Sequence, residues 1–366
     1  MESYGGRREY KMRKYEGINA DNIWRTMVSE LIETPDHESE SRCGDTLEFL
    51  QCALVISNPR ARWILSRIPP YNPAFGLVEF IWIFNGENDS EVPRFWNPQL
   101  PVFTGSSKLL HGAYGYRLKK CFGVDQIQRA YLALQSNPNS RQVVLQIWEP
   151  HQDLPDEHGC PASKDIPCNV SSLLQVRNGR LYWTQIMRSN DVMLGLPYNI
   201  IQFTMFQELF ASWLGCELGN YVHISNSMHI YSNCLEDYGL DSHFENTQDY
   251  HQALSINITF EETSHHLSEI YKDLIFIARL QKEKSREKIR SHLIEVFCPN
   301  NRKNQCRPAL FRDMLCVIGS DAARRLGDIE YATGILANCK DNSLQLAAGN
   351  WLIRNANKGE QDARHN

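Results

Sequence analysis

The chain lacks an apolar run long enough to cross a membrane. Its greasiest stretch, residues 77–84, is interrupted by Glu79, and a bilayer span asks for about twenty apolar residues. Positive charge is not in excess: 38 Lys and Arg stand against 43 Asp and Glu, a net charge of −5. A nucleic-acid surface needs a strongly basic face, so no nucleic-acid partner is expected. Eleven cysteines contain no Cys-x-x-Cys pair, which argues against a zinc ribbon or a thioredoxin-like site; no metal is assigned. The first residues, Met-Glu-Ser-Tyr-Gly-Gly-Arg-Arg, hold no apolar segment of a secretion signal. A cytoplasmic protein with reduced thiols is the expectation. Arg7, Arg8, Lys11, Arg13 and Lys14 read as a frayed, solvated terminus, with targeting or anion contact as the other reading.

What is present is an ordinary globular composition. The chain has 366 residues, 42% hydrophobic and 22% charged, enough for one large domain or two modest ones with a core that needs no disulfides. Residues 1–20 read as loose. Residues 21–33 read as a helix, with Ile23, Trp24, Met27, Leu31 and Ile32 at helical spacing. Residues 34–44 are polar and turn-rich, and 46–57 form a strand candidate. An apolar helix is predicted over 74–84, ending at Asn85-Gly86. Residues 87–107 read as loop, 125–134 as helix and 141–148 as strand.

Two strands, 170–176 and 180–187, meet at Asn178-Gly179, a strong hairpin signal. A buried helix covers 198–214 and a short strand 221–224. Helical texture then dominates 263–297 and 307–354. The expected architecture is α+β: a mixed β-sheet flanked by helices over 21–240, followed by a helix-rich region over 241–366.

Four clusters carry chemistry, each with an ordinary alternative. Cys168, in Ile166-Pro-Cys-Asn169, is either a nucleophile or a small buried apolar residue. Arg188-Ser-Asn-Asp191 and Gly195-Leu-Pro-Tyr-Asn199 lie just before a helix, suiting an anion and a polar heterocycle, or simply a capped turn. His229 and Tyr231 share one face of an extended segment, as a binding pair or as packing. Glu79 sits among Leu77, Val78, Phe80, Ile81 and Trp82. A carboxylate there is costly unless it is paired, functional or on an exposed stripe.

The order and spacing of these segments resemble the thymidylate synthase family, which includes deoxycytidylate and cytidylate hydroxymethylases. Pro167-Cys168 resembles the family's Pro-Cys-His. Arg188-Ser-Asn-Asp-Val-Met-Leu-Gly-Leu-Pro-Tyr-Asn199 resembles Arg-Ser-x-Asp-x-x-x-Gly-x-Pro-Phe-Asn. His229-Ile-Tyr-Ser-Asn233 matches His-x-Tyr-x-Asn, and Glu79-Phe-Ile-Trp-Ile-Phe-Asn-Gly86 resembles Glu-Leu-Leu-Trp-Phe-Leu-x-Gly. Asn137-Pro-Asn-Ser-Arg141, Tyr114-Gly115 and Arg42-Cys-Gly44 are further matches, and the likeness covers roughly residues 20–240.

The resemblance implies a thymidylate synthase-like fold and one-carbon transfer to C5 of a pyrimidine nucleotide, with 5,10-methylenetetrahydrofolate as cofactor. Cys168 would add to C6 as the nucleophile, its thiol acidified by Arg188. Arg188, Ser189 and Arg42 would hold the phosphate, and Arg141 would reach it from the second subunit of a homodimer. Asn199 would read the base edge, while His229 and Tyr231 would hold the sugar. Asp191 and Gly195 would hold the pterin, with Trp96 as a softer contact. Glu79 and Tyr114 would move protons.

Several departures bear on the product. Asn169 replaces His, Gln142 replaces a second Arg, and Ser225-Asn-Ser227 replaces a Gly-Gly-Asp-like stretch. Pro69-Pro70 stands where a basic pair usually meets the folate tail, and no closing tail is recognisable after 240. Hydride transfer needs a sealed, dry site, so these changes tilt the expectation to 5-hydroxymethylation by water. Methylation, as in a divergent thymidylate synthase, is the alternative, and a catalytically weakened nucleotide-binding regulator is another. Asn199 favours uracil, yet a carboxamide that turns over also suits cytosine.

Overall fold

The structure is a computed structural model, describing residues 12–41, 44–241, 257–282, 286–297 and 302–364. Among the described residues there are ten strands: β1 Arg13–Gly17, β2 His37–Ser41, β3 Gly44–Ile56, β4 Arg67–Ile68, β5 Val144–Gln146, β6 Asn169–Arg177, β7 Arg180–Met187, β8 Asn190–Asp191, β9 Glu217–Tyr231 and β10 Gly239–Leu240. The main sheet runs in the order β1-β3-β9-β7-β6-β5, with β2 added beside β3 and β8 beside β9. It is mixed. β1 with β3, β7 with β9 and β8 with β9 are parallel; β3 with β9, β6 with β7 and β5 with β6 are antiparallel. The expected mixed sheet flanked by helices is what the chain forms, and helices also dominate the described part of the C-terminal region.

The β6–β7 hairpin turns through Asn178 at φ 50° and Gly179 at φ 69°. Both central residues lie in the left-handed region, as the two-residue turn matching strand twist requires. The helix Pro73–Phe84 starts where the Asn72 side chain accepts from the Phe75 amide, with Pro73 in its first turn. Every residue in it is buried except Glu79. Each large apolar side chain there contributes about 1.5–3 kcal/mol by leaving water, so a lone half-buried carboxylate in that helix calls for a reason. The helix packs on Leu196–Leu214, which lies against β7 and β9. Their seam is aromatic: Phe80 meets Phe206 at 5.0 Å and Trp183 meets Phe210 at 5.8 Å.

The C-terminal helices hold both ends of the Glu79 helix. At its start, buried Asp321 accepts from Asn72 Nδ2 at 3.3 Å, Arg324 Nε at 2.8 Å, Arg325 Nε at 2.9 Å and Trp351 Nε1 at 2.9 Å. The two arginines keep the Asp321 carboxyl below the usual range despite its burial. At the other end, Asn85 Nδ2 donates to the Leu267 carbonyl at 3.2 Å.

Four readings of local structure are corrected. Part of the segment expected to be loose is β1, a polar strand that exists by pairing with β3. Arg13 in it is not solvated: it lies 3.8 Å above the Phe49 ring and donates to Asp36 at 2.7 Å, with Glu30 as a further partner. Arg7, Arg8 and Lys11 lie outside the described residues. The turn-rich 34–44 holds β2, and the expected loop 87–107 holds the helices Glu91–Trp96 and Leu100–Thr104. The strand expected at 221–224 is the 15-residue β9, whose histidines, serines and asparagine hide its apolar alternation. Among the described residues, no helix is long and apolar enough to cross a membrane, and no cluster of metal-ligating side chains occurs.

Candidate active site

Cys168 stands at the mouth of β6, half-buried. Its segment is tied from two sides. Arg188, the first residue after β7, donates from Nε to the Pro167 carbonyl at 2.9 Å and from Nη2 to the Ile166 carbonyl at 3.0 Å; its amide donates to the Cys168 carbonyl at 2.8 Å. On the other side, the Asp165 carboxylate accepts from the Gly112 amide at 2.9 Å. The result places Arg188 Nη2 3.6 Å from Cys168 Sγ. A fixed guanidinium at that distance favours thiolate over thiol. Arg188 remains exposed, so the same group can meet a phosphate.

Glu79, on the Pro73–Phe84 helix, meets the Leu196–Leu214 helix at Gln202. Burial raises its carboxyl to about 7, opposed by a hydrogen bond from Gln202 Nε2. Proton exchange near neutrality suits a general acid–base. Tyr114 stacks on Phe203 at 6.4 Å, its hydroxyl pushed well above the ordinary range by burial and then by Cys168, Glu79 and Asp165. These influences place Tyr114 in electrostatic reach of both the thiol and the carboxylate. Gly115 beside it has no room for a side chain, since a Cβ would fall 2.3 Å from the Ile83 carbonyl oxygen.

Asn199 is buried, one turn into the Leu196–Leu214 helix. Its Oδ1 accepts from Asn190 Nδ2 at 2.8 Å, and its Nδ2 donates to Gln202 Oε1 at 3.2 Å. Ser189 Oγ lies 3.4 Å from His229 Nδ1, and the His229 and Tyr231 rings meet edge to face at 5.2 Å. Burial depresses the His229 imidazole, partly offset by Asp191. Gly195 opens the Leu196–Leu214 helix; a Cβ there would sit 3.3 Å from Asn190 Nδ2.

Asp191 has one carboxylate oxygen in use and one free of hydrogen bonds. Its Oδ1 accepts from the Met193 and Leu194 amides at 2.7 and 2.6 Å, while its buried Oδ2 has no hydrogen-bond partner. Burial raises this carboxyl. An unused acceptor of this kind suits the paired N–H donors of a pterin's pyrimidine edge.

Arg141 is exposed, between the helix Gln126–Ser136 and β5. Trp96 is buried at 2% exposure, its carbonyl accepting from Arg325 Nη2 at 2.6 Å. Its Nε1 is buried without a hydrogen-bond partner. Arg42 lies outside the described residues.

Other residues join the site without having been singled out: Gln202, Asn190, His223 and Tyr221. Gln202 was detectable as a polar residue three after Asn199 in a mostly apolar helix. His223 and Tyr221 alternate in β9 like ordinary core residues, and nothing local marks them. Asn169 is fully buried and its Oδ1 accepts from Gln185 Nε2.

Comparison with known proteins agrees with this arrangement. The family model described as thymidylate synthase matches residues 71–285. A deoxyuridylate hydroxymethyltransferase of Pseudomonas phage M6 is 33% identical over 199 residues, 54% of this chain and 55% of that protein. Another, of Bacillus phage SP01, is 30% identical over 263 residues, 69% of this chain and 65% of that protein. A bifunctional dihydrofolate reductase-thymidylate synthase of Paramecium tetraurelia is 35% identical over 129 residues, 34% of this chain and 26% of that protein. The chain thus spans between about half and two thirds of the length of the two phage proteins. With the match over more than half of the chain and the mixed sheet described above, this protein belongs to the thymidylate synthase family.

Proposed function

We propose that this protein is a one-carbon transferase that hydroxymethylates C5 of deoxyuridylate. The observation that carries the reading is Cys168 Sγ held 3.6 Å from the Arg188 guanidinium, with the Glu79 carboxyl pushed up by burial to about 7. The likeness to two phage deoxyuridylate hydroxymethyltransferases favours hydroxymethyl over methyl and uracil over cytosine.

In this reading the Cys168 thiolate bonds to C6 of the base, which makes C5 nucleophilic. Bound 5,10-methylenetetrahydrofolate supplies the one-carbon unit, with Asp191 and Gly195 at the pterin. Arg188 and Ser189 hold the phosphate, joined by Arg42 and by Arg141 of a homodimer partner. His229 and Tyr231 hold the sugar, and Asn199 reads the base edge. The C5 proton departs through Tyr114 and Glu79 and would leave with tetrahydrofolate as its bond to the one-carbon unit breaks, so that C5 carries an exocyclic methylene and Glu79 is again ionised. Water then adds to the exocyclic carbon at C5, Glu79 takes the water's proton, and the Cys168 sulfur leaves C6 as thiolate. The site belongs to the unit over 21–240, with the helix-rich 241–366 as its support, in a cytoplasmic enzyme.

The test is direct. The protein is incubated with 5,10-methylenetetrahydrofolate and dUMP, dCMP, UMP or CMP, and product masses and near-ultraviolet absorbance are read. The expected product is dUMP heavier by a hydroxymethyl group, with no dihydrofolate. Stoichiometric dihydrofolate with a methylated nucleotide would make this a divergent thymidylate synthase. Nucleotide binding without any product would make it a regulatory relative.

A further inference from the structure

Six side chains from four elements form one continuous hydrogen-bonded chain. Tyr221 Oη lies 3.0 Å from His223 Nδ1, and His223 Nε2 lies 3.0 Å from Asn190 Oδ1. Asn190 Nδ2 donates to Asn199 Oδ1 at 2.8 Å, Asn199 Nδ2 to Gln202 Oε1 at 3.2 Å, and Gln202 Nε2 to Glu79. Tyr221, His223, Asn190, Asn199 and Gln202 are all under 10% exposed, so water does not compete for these bonds.

A chain of this kind has a direction. Each amide offers a donor at one end and an acceptor at the other, and a neutral imidazole does the same. Turning one member round would set oxygen against oxygen or N–H against N–H on both sides of it, and such an unpaired buried contact is costly. Two self-consistent directions therefore exist, and the ends choose between them. An ionised Glu79 only accepts. Gln202 must then present its nitrogen to Glu79 and its oxygen to Asn199, and the same logic runs on through Asn199 and Asn190. His223 carries its proton on Nε2, and Tyr221 donates to Nδ1. Burial keeps His223 neutral, with a value of about 3.

We infer that Asn190 and Gln202 are specificity-determining positioning residues, which lock the Asn199 carboxamide with its nitrogen toward Glu79 and so make the site read uracil and refuse cytosine. The inference rests on the proposed function, in which Cys168 bonds C6 and Glu79 works at C5. Passing round the ring from C6 through C5, position 4 comes next and position 3 after it. The Asn199 atom on the Glu79 side, Nδ2, meets position 4, and Oδ1 meets position 3. Uracil presents O4 to the remaining N–H and N3–H to the remaining lone pair. Cytosine presents an amino group to the N–H and a bare N3 to the oxygen, so both contacts become repulsive. Neither Asn190 nor Gln202 touches the base in this account; they act through Asn199. Gly195 leaves room for Asn190, since an added Cβ there would sit 3.3 Å from Asn190 Nδ2.

The experiment is equilibrium binding of dUMP and dCMP, without folate, to the wild-type protein and to Asn190→Ala, Asn190→Asp and Glu79→Gln. Thermal melting checks that each variant is folded. Asn190→Ala removes the lock, and the ratio of dUMP to dCMP affinity should fall about tenfold, the scale of one mispaired hydrogen bond. Asn190→Asp accepts where Asn190 donates, turns the Asn199 carboxamide round, and should lower the ratio further by weakening dUMP and strengthening dCMP. Glu79→Gln removes the end that sets the direction and should also lower the ratio; it decides the matter if the Asn190 variants do not fold. A merely structural role would weaken both nucleotides together and leave the ratio alone, and that result overturns the inference while leaving the proposed function intact. A wild-type protein that prefers dCMP overturns the assigned direction. One that binds neither nucleotide overturns the proposed function and the inference with it.

Discussion

Replacing Glu79 with Gln should make the protein more stable and far less active, and the gain in stability should depend on pH. The wild-type carboxyl has its pKa raised from 4.5 to about 7 by burial. An acid with a raised folded-state value holds its proton more tightly when folded, so its ionisation costs stability as pH rises through that window. At about 1.4 kcal/mol per unit the full cost above pH 7 is about 3.4 kcal/mol, and partial solvent access to Glu79 reduces this to about 2–3 kcal/mol. At pH 5 the same linkage leaves under about 1 kcal/mol. The Gln variant carries no such charge and still accepts from Gln202. With about 2.1 cal/mol/K of unfolding entropy per residue over 366 residues, the variant should melt about 3 °C above wild type at pH 8 and within about 1 °C at pH 5. Product formation should fall by about 10²–10⁴, the usual worth of a general acid–base. Paired thermal melts at the two pH values, with product assays on the same samples, read all of this. A melting gain equal at pH 5 and pH 8 would refute the buried ionisation, and wild-type turnover in the variant would refute the proton-transfer role.

Cys168→Ser should bind nucleotide normally and lose product by orders of magnitude, because a hydroxyl is far less ionised than a thiol near neutral pH; tritium release from C5-labelled nucleotide is the assay, and unchanged release would remove Cys168 from the mechanism. Mixing inactive Cys168→Ser with inactive Arg141→Ala should restore part of the activity, since one hybrid site in a symmetric dimer carries neither change; no recovery after proven subunit exchange would take Arg141 out of the partner's site. Asp321→Ala leaves Arg324, Arg325, Trp351 Nε1 and Asn72 without their shared acceptor, and should cost about 3–5 kcal/mol in denaturant unfolding; a loss below about 1 kcal/mol would show that the C-terminal helices do not depend on this contact. Gly115→Ala must push its new methyl group against the Ile83 carbonyl, 2.3 Å away, and should cost at least about 1–3 kcal/mol by overpacking, read as a lower urea midpoint; an unchanged midpoint would refute the close approach.

Local pattern made some of this legible. Asn178-Gly179 specified its hairpin because Asn-Gly readily takes positive φ at both positions, the two-residue turn that matches the twist of the strands. The Pro73–Phe84 helix was visible from its apolar density and its Asn-Gly stop, and Glu79 stood out because a carboxylate in that company has few inexpensive explanations. The spacing of Cys168, Arg188, Asp191 and Asn199 was readable for a similar reason: they lie on short segments at the end of β6, after β7 and at one helix start, so sequence order nearly fixes their neighbourhood.

What local pattern could not carry was pairing at a distance. β1 and β2 are polar and become strands only because β3 offers an edge to each. His223 and Tyr221 alternate in β9 like core residues, and only the crossing of β9 past β8 and the Leu196–Leu214 helix brings His223 to Asn190. Sequence alone left Asn199 able to turn either way. The folded chain adds a partner at each end of that carboxamide, and a buried amide with both neighbours assigned has one orientation that leaves no donor facing a donor. The sequence thus determined which groups of the site exist and roughly where each lies along the chain. The tertiary structure decided which way they point, because hydrogen-bond direction depends on neighbours that come from elements far apart in sequence.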